Sequence, residues 1–165
     1  MTPYPLGALQ GRFWRMLSVR WQREPLASGS HLTGGRWNPR GIPALYLASD
    51  HSTAIIEYHR ALIRPGTLAT YDVRADAIAD LTDPLALKRG ALDSTILLCD
   101  WQTIVAIEHG RPPSWDLAET LIAAGAQGAL VPSAQHRGGV NLVLWRWGEE
   151  GGARVRLIDP DGDLG

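Results

Sequence analysis

The sequence predicts an α+β fold around a twisted mixed β-sheet, and three features of the chain support this. Short apolar runs bounded by glycine, proline, serine or asparagine dominate the sequence, and such runs are typical of strands. Two longer segments follow residues that can cap helices. Strands and helices do not alternate regularly, which disfavours a parallel βαβ architecture. We therefore expect a mixed sheet with few helices.

In the first half of the chain, the most distinct signal is an apolar run followed by a helix. Pro43 and Ser49 bound the run, which predicts a buried strand. Ser49 or Asp50 can cap the helix, and Pro65 ends it because proline cannot continue a helix. The predicted elements of this half are a strand over 44–48, a helix from about 50 to 63, and strands over 68–73 and 77–81.

The second half is predicted to contain one helix and three strands. Ser114 can cap the helix, and Gly125 ends it because glycine accepts the left-handed conformation found after helices. Trp145 and Trp147 are two residues apart on the strongest strand signal, so both are expected on one face. The predicted elements are a helix over 115–124, strands over 129–131, 140–147 and 155–158, and an apolar segment over 96–107 that suits either a strand or a helix.

The composition predicts a single domain that spans residues 1–165. A chain of 165 residues with 45% apolar and 20% charged residues is ordinary for a globular protein with one core. Cys99 is the only cysteine, which excludes an intrachain disulfide framework and a cysteine-based zinc site. The N-terminus has no signal-peptide pattern, and no apolar stretch approaches the ~20 residues of a membrane span. We therefore expect a cytoplasmic protein that does not bind membranes.

The charge is distributed unevenly along the chain, although the net charge is only −1. Residues 1–40 contain six arginines and one acid, Glu24. The six are Arg12, Arg15, Arg20, Arg23, Arg36 and Arg40. A basic segment on a nearly neutral protein indicates a local anionic ligand rather than a nucleic-acid-binding stripe.

The segment 34–39, with the sequence GGRWNP, has the composition of a turn that contacts phosphate. Its two glycines allow positive φ angles and a close approach of the backbone to a ligand. Arg36 has the side chain best shaped to hold a phosphate through two parallel hydrogen bonds. Trp37 could add a flat face for stacking, and the Asn38-Pro39 pair is typical of a turn.

Tyr46 and Glu57 follow Arg36 at intervals of ten and eleven residues. Glu57 borders the apolar face of the predicted helix beside Ala54 and Ala61, whose small side chains leave room for a ligand. The alternatives are a solvated glutamate at the helix edge and a core tyrosine. An arginine, an aromatic ring and a carboxylate are together the groups needed to cleave the glycosidic bond of a nucleotide.

A further candidate lies just after the predicted strand over 129–131. Ser133 could donate a hydrogen bond to a phosphate or a ribose hydroxyl, and a structural turn serine is the alternative. The serine is not part of the G-x-S-x-G elbow of a hydrolase. His51, Glu57 and His59 do not match H-E-x-x-H, and the chain contains neither a P-loop nor a strand-linked G-x-G-x-x-G. We therefore expect no bound metal.

These residues in this order resemble the RES domain family, which is named for an arginine, a glutamate and a serine. The resemblance extends from about Phe13 to about Asp159. It is carried by Phe13-Trp14-Arg15, the segment 34–39, Gly41, Pro43, Tyr46, Ala54, Glu57, Val131-Pro132-Ser133 and Asn141. In place of the Gly-Ala that often precedes Gly-Gly-Arg in the family, this chain has Gly29-Ser30-His31.

The resemblance implies a role for each matching residue. The implied catalytic residues are Arg36, Tyr46, Glu57 and Ser133. The implied binding residues for NAD+ are Arg15, Arg36, Trp37, Asn38, Tyr46, Ser133 and Asn141, and His31 could also enter the pocket. Glu57 would stabilise the sugar cation that forms as neutral nicotinamide leaves, and Arg36 would help to keep this glutamate ionised.

The resemblance also implies a biological role. RES proteins are toxins of bacterial toxin–antitoxin modules whose fold resembles ADP-ribosyltransferase toxins, with NAD+ as cosubstrate. Their partner is an antitoxin, usually with an Xre-like helix-turn-helix part, which we expect to cover the active site. Transfer of ADP-ribose to a cellular protein is our first hypothesis, and an NAD+ glycohydrolase or phosphorylase is the alternative. A non-catalytic nucleic-acid-binding module is the competing class.

Overall fold

A computed structural model describes residues 4–60 and 62–164. Its strands are β1 (Leu6–Ser18), β2 (Leu45–Ala48), β3 (Gly66–Asp80), β4 (Gly128–Pro132), β5 (Val140–Leu144) and β6 (Arg154–Ile158). Its helices are α1 (Ser30–Thr33), α2 (His51–His59), α3 (Pro84–Arg89), α4 (Ser94–Leu97), α5 (Trp101–Ala106) and α6 (Pro113–Ala123). No helix within these two ranges has the length and apolar character needed to cross a membrane.

The strands form one mixed sheet that closes on itself. Their order is β1-β2-β5-β4-β3-β6, and β1 also pairs with β3. Strands β1 and β3 are antiparallel from the pair Leu6 and Ala79 to the pair Ser18 and Gly66. Strand β4 is parallel to β3, whereas β2 and β4 are both antiparallel to β5. The predicted α+β class with a mixed sheet core is therefore confirmed.

The sheet carries a hydrophobic cluster on each of its faces, because alternate side chains of a strand point in opposite directions. In β5, Leu142 and Leu144 pack with Phe13 and Tyr71 in one cluster. Val143, between them, packs in the other cluster with residues of α6 such as Leu121. The cavity described below lies beside this second cluster, where the segment between β1 and β2 meets α2.

The first predicted helix begins where expected and ends earlier than expected. Asp50 caps α2 by accepting a hydrogen bond from the Thr53 amide at 2.8 Å. The helix ends at His59, because Arg60 turns to a positive φ of 48°. The predicted end near Ile63 is therefore wrong, and Pro65 lies beyond the helix instead of terminating it.

The two strands predicted over 68–73 and 77–81 are one continuous strand, β3. The side chain of Gln127 explains the continuity, because its Oε1 accepts hydrogen bonds from the amides of Asp76 and Ala77 at 2.7 and 3.1 Å. The main chain of Gln127 also ends β5 early, since its carbonyl accepts from the amides of Trp145 and Arg146.

Several local predictions fail for reasons that the packing makes clear. Trp145 and Trp147 belong to opposite clusters, because regular strand structure ends at Leu144. Ser114 does not cap α6, whose N-cap is Pro112. The ambiguous segment 96–107 forms parts of α4 and α5, capped by Asp93 and Asp100. Strand β1 was not predicted.

Candidate active site

A cavity of about 620 Å³ opens between β1, the segment 28–37, α2 and α5. This volume lies within the range of roughly 300–1,000 Å³ that is usual for small-molecule sites. Five arginines and one carboxylate, Glu57, are among its lining residues. The arginines are Arg15, Arg20, Arg36, Arg60 and Arg64. A concave surface with this excess of positive charge attracts anionic ligands.

Glu57 lies half-buried on α2, and one of its carboxylate oxygens accepts two hydrogen bonds. Ser133 Oγ donates to Glu57 Oε1 at 2.5 Å, and Asn141 Nδ2 donates to the same oxygen at 2.8 Å. Both donors come from the β4–β5 hairpin, where Val131 is paired with Asn141. No described side chain donates to Oε2, so one oxygen of the carboxylate is oriented by the protein and the other is left for a ligand.

The hydroxyl of Tyr46 stabilises the turn over 34–39 through hydrogen bonds to two of its residues. The Tyr46 hydroxyl accepts a hydrogen bond from the Trp37 amide at 2.9 Å and donates one to Asn38 Oδ1 at 2.7 Å. Burial raises the pKa of Tyr46 above its ordinary value, with the Trp37 amide and the Arg36 charge opposing the shift. Tyr46 is therefore a neutral phenol that lines the cavity and supports the turn.

Gly35 is required in this turn by the closeness of its neighbours. A Cβ at this position would lie 2.6 Å from Asn38 Oδ1 and 2.7 Å from the Tyr46 hydroxyl. Asn38 itself is fully buried, and its Nδ2 donates to the carbonyl of Ile42 at 2.9 Å. The buried Asn38 side chain therefore links Tyr46 to the backbone that follows the turn.

Helix α6 and the α4–α5 connection hold the same turn from outside. Ser114 Oγ donates to the carbonyl of Arg36 at 2.5 Å, and Trp115 Nε1 donates to the carbonyl of Gly35 at 2.7 Å. The Arg36 guanidinium donates through Nη1 to the carbonyl of Cys99. This contact fixes one end of the guanidinium, which has five N–H donors in all.

Arg15, on β1, is anchored by the backbone of the segment between β1 and β2. Its Nη1 donates to the carbonyl of Ala27 at 2.8 Å and more weakly to that of Pro25 at 3.4 Å. Burial lowers the pKa of Arg15 from its ordinary value, and Tyr71 opposes this shift. The guanidinium nonetheless keeps its charge, because arginine is not deprotonated in proteins. Arg15 and Arg36 thus provide two positive groups that backbone carbonyls hold in place.

A model of the RES domain matches residues 12–165. The chain belongs to the RES domain family. Among the solved structures that match is the crystal structure of the M. tuberculosis MbcT–MbcA toxin–antitoxin complex, with 22% sequence identity and a TM-score of 0.67. The match covers 94% of this chain and 86% of that chain, and at this identity it shows a shared fold. No curated protein matches the sequence.

The RES domain brings several of the residues expected in its site around one cavity. Glu57, Ser133 and Asn141 form one hydrogen-bonded group. Arg36 lines the same cavity, and among the described residues it forms no ion pair with Glu57.

Two other expected binding residues do not offer an exposed ring to the cavity. Trp37 is only 1% exposed and packs in the core, so its indole offers no stacking face in this conformation. Its carbonyl accepts a hydrogen bond from Trp145 Nε1 at 2.9 Å. His31 is exposed on α1 and is not among the lining residues.

Sequence reasoning missed three arginines at the edge of the RES domain cavity. Arg20 lies 5.3 Å from the centre of the Trp21 ring, and Arg64 lies 4.3 Å from the centre of the Tyr58 ring. Arg60 follows α2 directly. No local sequence pattern links these arginines, because the pairing of Ser18 with Gly66 at the end of the β1–β3 register brings the two chain segments together.

The described residues contain no cluster of three or more histidine, cysteine, aspartate or glutamate side chains that could hold a metal ion. The ionisable side chains that line the cavity are the five arginines, Tyr46, Tyr58 and Glu57.

Proposed function

We propose that this RES domain is a toxin that cleaves NAD+ at the bond between nicotinamide and ribose. The observation that carries the proposal is the Glu57 carboxylate, held by Ser133 and Asn141 in a cavity that five arginines line. The solved relative is, by its title, a toxin in complex with an antitoxin. Family membership and shared fold support the same role here.

The chemistry of the proposed reaction requires one fixed negative charge. When the C1′–N bond breaks, its electron pair leaves with neutral nicotinamide, and positive charge develops on the ribose. A carboxylate beside the ribose stabilises this charge more in the transition state than in the ground state. Because Ser133 and Asn141 both bind Oε1 of Glu57, the carboxylate is oriented before the substrate arrives.

The arginines of the cavity suit the rest of such a substrate. The pyrophosphate of NAD+ carries negative charge that Arg36 can bind through two parallel N–H groups. Arg15, held by two backbone carbonyls, supplies a second positive group. Tyr46 lines the cavity together with Trp14, Trp21, Tyr58 and Trp101, and its ring is our candidate for contact with nicotinamide or its ribose.

The proposed acceptor of ADP-ribose is a cellular protein, and water or phosphate is the alternative. In each case the acceptor oxygen or nitrogen forms the new bond to C1′ and loses a proton to solvent. NAD+ labelled in its adenine part separates the outcomes when purified protein is added to a bacterial lysate. Label on a protein band would support transfer, whereas label recovered only as soluble ADP-ribose or its phosphate would overturn it.

We further propose that an antitoxin with an Xre-like helix-turn-helix part covers this cavity. An uninhibited enzyme that consumes NAD+ would poison its own cell, and the arginines at the rim favour an acidic covering segment. Equal rates of nicotinamide release from the free protein and from its complex would contradict this.

A further inference from the structure

Helix α2 contacts the β4–β5 connection at two points that are one helical turn apart. Thr53 and Glu57 are separated by four residues, which places their side chains on the same face of the helix. Glu57 binds Ser133 and Asn141, whereas fully buried Thr53 binds His136. The position of α2 against this connection therefore determines where the carboxylate lies relative to its two donors.

The second contact is a chain of hydrogen bonds in which the proton positions follow from the geometry. Thr53 Oγ1 donates to Asp50 Oδ2 at 2.8 Å, and His136 Nδ1 lies 2.8 Å from the same hydroxyl. The hydroxyl has one proton, and it goes to Asp50 because a carboxylate only accepts. Hydrogen bonds from Thr53 also hold the pKa of Asp50 below its ordinary value. His136 Nδ1 must then carry a proton and donate it to Thr53.

The main chain of the connection transmits this contact to Ser133. The His136 amide donates to Ser133 Oγ at 3.0 Å, and the Ser133 amide donates to the Gly139 carbonyl at 2.9 Å. Because Ser133 Oγ accepts from His136, its own proton is directed to Glu57. A Cβ at Gly139 would lie 2.6 Å from Thr53 Oγ1, so the connection packs tightly against Thr53.

We propose that Asp50, Thr53 and His136 are positioning residues that lock the connection 133–139 onto α2 and so orient the Glu57 carboxylate. None of the three is needed to touch the substrate, and none belongs to the residues that the family resemblance implied. The catalytic consequence rests on the proposed cleavage of NAD+, whereas the structural coupling does not depend on it.

The test compares Thr53→Val, which keeps the shape and removes the hydroxyl, with Thr53→Ser, which keeps the hydroxyl. Ser52→Ala is the matched control, because it removes an exposed hydroxyl from the same turn of α2. For nicotinamide release, we expect Thr53→Val to lower kcat on the order of tenfold with little change in KM, since misplacement of a catalytic group acts on the chemical step. Thr53→Ser and Ser52→Ala should retain the wild-type kcat.

A second measurement tests the coupling without any activity. In hydrogen-exchange measurements, we expect the amides of Ser133, His136 and Gly139 to exchange about tenfold faster in Thr53→Val than in wild type, as the loss of one anchoring hydrogen bond predicts. His136→Asn should largely keep protection, because its amide N–H can replace Nδ1–H, whereas His136→Leu should lose it.

The outcomes distinguish the two proposals. If wild type releases no nicotinamide, the proposed function fails and exchange still tests the coupling. Unchanged exchange in both Thr53→Val and His136→Leu would overturn the coupling, whatever the activity. Faster exchange with an unchanged kcat would overturn the positioning role of the three residues.

Discussion

The two walls of the cavity are stabilised by different kinds of contact. The wall that carries Arg36 is a turn whose backbone is held by the buried Ser114 and the half-buried Tyr46 and Trp115. The wall that carries Glu57 is a half-exposed helix face held by side-chain hydrogen bonds from a hairpin. The wall with Arg36 is therefore packed against the core, whereas the wall with Glu57 is partly exposed to solvent.

This difference predicts which changes damage the fold and which damage only the site. A substitution in the turn removes contacts that bury polar backbone groups, and such groups are costly when unsatisfied. A substitution at Glu57 alters a group that solvent partly reaches. We expect substitutions in the turn to lower stability. We expect substitutions at Glu57 to lower catalytic activity while the fold is retained.

The largest effect on stability is expected for Gly35→Ala. The added methyl group would lie 2.6 Å from Asn38 Oδ1 and 2.7 Å from the Tyr46 hydroxyl, and both neighbours are fixed by their own hydrogen bonds. Overpacking together with a broken buried hydrogen bond should lower the free energy of unfolding by about 3 kcal/mol. Urea denaturation measures this, and Gly7→Ala is the control, because Gly7 likewise has no positive φ and a Cβ there would meet nothing within 4 Å.

A smaller loss is expected for Tyr46→Phe. The phenylalanine keeps the ring and leaves both the Trp37 amide and Asn38 Oδ1 without their partner. We expect the free energy of unfolding to fall by about 2 kcal/mol, measured by the same denaturation. A variant as stable as wild type would mean that the turn does not depend on this hydroxyl, and the contrast between the walls would be lost.

The sequence predicted which residues lie near one another better than it predicted the contacts that hold them. The family pattern brought Arg36, Glu57 and Ser133 together because the order of several uncommon motifs is visible in one chain. The burial of Trp37 was not predictable in this way, since it depends on packing with Trp145 and with α6. Thr53 and His136 are 83 residues apart, and no local pattern links them.

The fold shows the same limit. Apolar runs identified β2, β4, β5 and β6, because their side chains pack within the two clusters and their ends coincide with turn residues. Strand β1 was not predicted, because most of its residues are only partly buried and its sequence is interrupted by glycines and arginines. These are Gly7, Gly11, Arg12 and Arg15. Strand β1 is extended because it pairs with β3 along a long antiparallel register, and one sequence does not reveal this pairing.

The measurement that tests the central claim most directly is nicotinamide release from NAD+ by purified wild type and Glu57→Gln, with the melting temperature of each. The glutamine amide oxygen can still accept from Ser133 and Asn141, so only the negative charge is lost. We predict release by wild type, a rate lower by about 10²–10³ in Glu57→Gln, and nearly equal melting temperatures. Equal rates in the two proteins, or no release by wild type, would contradict the role assigned to Glu57.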